Sequence, residues 1–104
     1  MREININGKA YPCKFSMAAI KGIAAHLGLE FADMANSQKF GVENVAAIAY
    51  FGIKQGLKLE EKDDDITIIY IEDVIEVHES LQVMKAYMES VTGPVDPNAV
   101  SSEK

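Results

Sequence analysis

The sequence predicts an α+β domain: an N-terminal β-hairpin followed by about four helices packed as a small bundle. Three observations predict it. Apolar and polar residues alternate on both sides of Asn7-Gly8 near the start of the chain. From Ser16 onward the apolar spacing changes to threes and fours. The helical stretches are separated by Gly28, by Gly56 and by an acidic run at 60–65.

The hairpin is expected over residues 2–15. Ile4 and Ile6 alternate with Glu3, Asn5 and Asn7, and Tyr11, Cys13 and Phe15 alternate on the return. Asn-Gly is the strongest short hairpin signal, because both residues tolerate the positive φ of a type I′ turn. Pro12 has no N–H to give to a ladder and belongs at an edge.

Ser16 is placed to cap a first helix over about 17–27, with Met17, Ile20, Ile23, Ala24 and Leu27 on its inner face and Gly28 as its stop. Phe31 and Met34 suit one amphipathic turn. A second helix is expected from about Val42 to Gln55, ending near Gly56. Only Glu43, Ala47, Tyr50 and Lys54 make a more polar stripe on it, so it is central to the fold or covered by a partner. Ile66 to Tyr70 is β-branched and suits a short strand, with helix as the open alternative. A third helix over about 71–79 carries Ile71, Val74, Ile75 and His78 on one face. Ser80 then caps a fourth over about 81–91, with the stripe Leu81, Met84, Tyr87, Met88 and Val91. Residues 1–92 thus read as one domain, and 93–104, opened by Gly93 and Pro94, as a flexible polar tail.

Composition narrows the function. The net charge is −6 and the ten Lys and Arg form no block, which argues against nucleic acid and against an anionic membrane surface. No apolar run approaches the roughly 20 residues of a membrane span. One cysteine, Cys13, cannot make an intramolecular disulfide and suits a reducing compartment, so a cytoplasmic location is expected.

No catalytic, cofactor or metal constellation stands out. The glycines lack the spacing of a phosphate loop. Cys13, His26 and His78 are enough in number to hold zinc, but nothing in their spacing favours it. Asp63, Asp64 and Asp65 are consecutive, whereas a calcium loop alternates its ligands around a glycine. As a nucleophile Cys13 would need a distant histidine, and its alternating strand position suggests packing instead. The sharpest alternative is Glu79-Ser80-Leu81, which is similar to the Asp-Ser-Leu motif of acyl carrier proteins, with Ser80 as the modified residue. An ordinary N-cap explains the same serine. The chain is therefore expected not to be an enzyme.

Taken in order, several stretches resemble one family. Ile4-Asn5-Ile6-Asn7-Gly8-Lys9-Ala10-Tyr11-Pro12 leads to Lys14-Phe15-Ser16-Met17-Ala18-Ala19-Ile20. After Leu27-Gly28 come Tyr50-Phe51-Gly52-Ile53-Lys54-Gln55-Gly56, an acidic loop, Ile71-Glu72-Asp73-Val74 and a polar tail. Over about residues 3–91 this resembles the tail assembly chaperones of long-tailed bacteriophages and prophages. The resemblance implies a non-enzymatic protein of the host cytoplasm that coats the tape measure protein and helps recruit the tail tube protein. It is also compatible with a homo-oligomer and with a longer frameshifted form. A groove for client helices would be built from apolar and methionine side chains. On that basis Tyr50, Phe51 and Ile53 of helix two and Met84, Tyr87 and Met88 of helix four are the candidate protein-binding residues. A general protein-interaction adaptor is the remaining alternative.

Overall fold

A computed structural model describes residues 2–34 and 40–92. Strands β1 (Arg2–Ile6) and β2 (Lys9–Cys13) are followed by helix α1 (Met17–Leu27) and a 3-10 turn at Phe31–Asp33. A second 3-10 turn, Val42–Asn44, leads into α2 (Val45–Leu59), and α3 (Ile68–Val74) and α4 (Val77–Thr92) complete the order. An antiparallel hairpin followed by four helices is the α+β arrangement expected. The expected tail, 93–104, lies outside the described residues.

The hairpin forms as its turn dictates. Asn7 and Gly8 take φ of 55° and 81°, and Ile4 pairs with Tyr11 across the ladder. Ile4, Ile6, Tyr11 and Cys13 are all buried on one face. That face must be covered, because an isolated hairpin is marginal. In α1 the Ser16 hydroxyl accepts from the Ala19 N–H at 3.4 Å, and Gly28 ends the helix at φ 71°. Ala19, Ile20 and Ile23 form its buried arc. That arc turns Met17 outward, 67% exposed, so Met17 is not part of the inner face.

Helix α2 is the centre of the molecule, packed against β2, α1, α3 and α4. Gly52 and Gly56, one turn apart, let β2 lie directly on its backbone. The Lys14 N–H donates to the Gly52 carbonyl at 3.0 Å. Gly56 is thus a point of close approach and not a stop, and α2 runs on to Leu59. It ends where Glu61 takes the left-handed conformation at φ 56°. There the Glu61 N–H donates to the Lys58 carbonyl at 3.1 Å and the Lys62 N–H to the Leu57 carbonyl at 2.9 Å. This paired C-terminal closure usually has glycine at the left-handed position.

The second half departs from the sequence expectation in register. Ile66 to Tyr70 is not a strand. Thr67 is extended, its hydroxyl accepts from the Tyr70 N–H at 3.1 Å, and α3 starts at Ile68. Ile75, at ψ 135°, breaks the helix after Val74, so His78 belongs to α4 and is exposed. Ser80 is not a cap. It lies inside α4 and its hydroxyl donates to the Glu76 carbonyl at 3.2 Å.

The core is aliphatic, with Ile6, Ile23, Ile48, Ile53, Ile71 and Val83 fully enclosed. Tyr87 joins them, edge-on to Phe15 and Phe40, and its hydroxyl donates to the Met34 carbonyl at 2.8 Å. A buried phenol needs such a partner, because an unpaired hydroxyl is costly to desolvate.

Candidate protein-binding face

Glu79 sets how α4 sits. It is the third residue of the helix, and its carboxylate accepts the Glu76 N–H at 2.9 Å, which is half of a capping box. The same carboxylate accepts the Asn7 N–H at 2.8 Å and the Gly8 N–H at 2.9 Å. Among the described residues it is the one buried charged side chain, at 3% exposure. Burial alone pushes its carboxyl up. The bonds from Glu76, Gly8 and Asn7, with a smaller contribution from His78, outweigh that and hold it below its ordinary value of 4.5. Beyond Glu79, the Arg2 guanidinium meets Glu89 at 3.2 Å, so α4 runs along β1.

This seating gives α4 two apolar faces. Val83, Ala86 and Tyr87 point into the core with Glu79. Val77, Leu81, Met84, Met88 and Val91 form a second row, centred roughly 140° around the helix at 100° per residue. Val77 is 78% and Leu81 68% exposed, while Met84, Met88 and Val91 are half-buried at the edge of the core and pack against it. The row repeats four-three-four-three, the 3.5-residue period with which one helix seats along another. His78, Gln82, Lys85 and Glu89 fill the remaining side. Of this row Val77 and Leu81, one turn apart, are the side chains that stand in water.

The six residues picked from sequence are not brought together. Ile53 of α2 and Tyr87 of α4 have no exposure; both sit inside the hydrophobic core, not on the surface, and that packing leaves them no access to a partner. Tyr50 and Phe51 are half-buried and stack edge-on at 5.2 Å. Phe51 covers Gly22 of α1 and lies 5.9 Å from the His26 ring, so it belongs to the α1–α2 contact. Met84 and Met88 do lie on the outer row. Val77, at its exposed end, was missed, and Leu81 was assigned to the same stripe as Tyr87. The signal that separates them is the heptad spacing from Val77, which the assumed helix start at 81 hid.

Elsewhere the chemistry is sparse. Among the described residues no group of three His, Cys, Asp or Glu is placed to hold a metal, and no helix is long and apolar enough to cross a membrane. A cleft of about 390 Å³ between α1 and the end of α2 is lined by Lys54, Lys58 and Lys62 but also by Asp63 and Asp64, so its charge favours neither sign of ligand. Burial pushes the Cys13 thiol up to about 12, only partly opposed by Arg2. Cys13 should therefore resist a thiol-specific disulfide reagent in the native chain and react fully once urea unfolds it. Fast native labelling would show that the hairpin face opens. No protein-family model, curated protein or solved structure matches this chain.

Proposed function

We propose that this chain is a non-enzymatic tail assembly chaperone, working in the bacterial host cytoplasm, that takes an amphipathic helix of the tape measure protein on the outer face of α4. The family resemblance supports the class of partner. The exposed pair Val77 and Leu81, continued by the half-buried Met84, Met88 and Val91, is the observation that carries the reading. A long helical client exposes apolar stripes before it is packaged, and a rigid helix with its own stripe shields them. The two methionines allow several client sequences to seat, since their side chains adapt. Recruitment of the tail tube protein belongs to the same reading. The carrier alternative is less well supported, because the Ser80 hydroxyl is tied to the helix backbone.

Coexpression with the cognate tape measure protein tests it. The client should become soluble and copurify with the wild-type chain. Val77→Lys combined with Leu81→Lys should abolish copurification while shifting the thermal midpoint little, since exposed side chains contribute little to stability. A client that stays insoluble, or one that binds the double variant equally well, would overturn the proposal. A second copy of the chain is the competing occupant. Light scattering of the free chain, with and without the two lysines, separates it from a client.

A further inference from the structure

Asn7 and Gly8 form the tip of the hairpin. Asparagine followed by glycine is the pair most open to spontaneous deamidation, because glycine puts no side chain in the way of ring closure. In that reaction the Gly8 backbone nitrogen loses its proton and attacks Cγ of Asn7. The Cγ–Nδ2 bond breaks, ammonia leaves, and a succinimide ring links the two residues. Water then opens the ring at either carbonyl, leaving aspartate or isoaspartate in place of Asn7.

Here the attacking nitrogen is engaged. The Gly8 N–H donates to Glu79 Oε2 at 2.9 Å, and the Asn7 N–H donates to Oε1 at 2.8 Å. Attack would require the Gly8 nitrogen to give up the hydrogen it is donating and to carry negative charge within hydrogen-bond distance of a carboxylate. Like charges that close raise the barrier, the more so because the Glu79 carboxylate is buried. The two bonds also pin the backbone on both sides of the Asn7 carbonyl, which must rotate for the ring to close.

We infer that Asn7 is a deamidation site and that Glu79 keeps it silent for as long as α4 is seated on the hairpin. Conversion would set a new carboxylate, in isoaspartate together with a lengthened backbone, at a turn that already faces Glu79. The product would repel α4, so the change would lock in any detachment that allowed it. This holds whatever partner the outer face of α4 takes.

The test incubates the purified full chain warm at mildly alkaline pH and follows Asn7 by peptide mass spectrometry. The native wild type should convert at least about tenfold more slowly than the same chain in denaturant, the equivalent of one 1.36 kcal/mol step in barrier. Glu79→Gln should convert about tenfold faster than wild type while near-UV circular dichroism shows it folded. Gly22→Ala weakens the α1–α2 contact, away from both α4 and the turn, and should stay near the wild-type rate. If Glu79→Gln fails to fold, Glu79→Asp decides, since its carboxylate is drawn back from Gly8; it should convert faster than Gly22→Ala. Wild type converting as fast as the denatured chain would overturn the inference. So would a folded Glu79→Gln no faster than wild type, or Glu79→Asp matching Gly22→Ala.

Discussion

Replacing Gly56 with alanine should destabilise the protein by about 3 kcal/mol, although alanine is the better helix former by ~1 kcal/mol. Gly56 sits inside α2, where its φ needs no glycine. What needs glycine is the strand. An added Cβ would lie 2.7 Å from the Cys13 amide nitrogen, and the Pro12 carbonyl is at least as close. Both are backbone and cannot swing aside as a side-chain tip can. Strand β2 would have to lift off α2, straining the Lys14 to Gly52 bond one turn away. Gly22→Ala is the useful contrast, because its Cβ would meet the Phe51 ring, which can tilt. Urea unfolding at neutral pH should rank wild type, Gly22→Ala and Gly56→Ala in falling stability. A Gly56→Ala variant as stable as wild type would mean that β2 does not rest on α2.

Glu79→Ala should remove about 3 kcal/mol as well, by a different route. Three backbone N–H groups lose a charged acceptor at once, and two of them belong to the turn that α4 covers. The effect has a pH signature. The native carboxyl titrates below its ordinary value, so the unfolded chain binds the proton more readily. Glu79's contribution is therefore complete above the ordinary carboxylate range. It declines as pH falls through that range and is gone once the native carboxyl protonates. Thermal midpoints measured from neutral to acid pH should fall more steeply for wild type than for Glu79→Ala. Parallel curves would show that folding does not lower the Glu79 carboxyl's affinity for its proton.

The hairpin and α1 were legible because their signals are local. Asn7-Gly8, Ser16 and Gly28 each act on neighbours within a few residues, and each does so as expected. Gly56 and Glu61 show the opposite case. A glycine inside an apolar run reads as a helix stop, but here its lack of a side chain serves a strand more than forty residues earlier. The actual stop uses a glutamate in the left-handed conformation, which no propensity marks. The difference over 66–80 follows from one boundary. A strand at Thr67 moves the third helix onward and makes Ser80 a cap, whereas the capping carboxylate is that of its neighbour Glu79. Nothing near Glu79 in sequence announces the two hairpin N–H groups it satisfies. The face of α4 was blurred for the same reason: without its start at Val77, one apolar stripe could not be resolved into two.

The bonds between the hairpin and α4 join residues 72 and 71 positions apart, and Arg2 to Glu89 spans 87. Such non-local closure is slow in folding, because the loop entropy is lost before the contact forms. It also has a consequence during synthesis. At ~5–20 residues per second, the turn leaves the ribosome roughly 4–14 seconds before the carboxylate that completes it. In that interval β1 can pair with β2, which rests on α2, but the outer edge of β1 stays open to other nascent chains. The chain gains both its closed hairpin and its outer apolar row with the same helix. Under the proposed function, competence to bind a client therefore arrives late, set by translation of the last two dozen residues before 93.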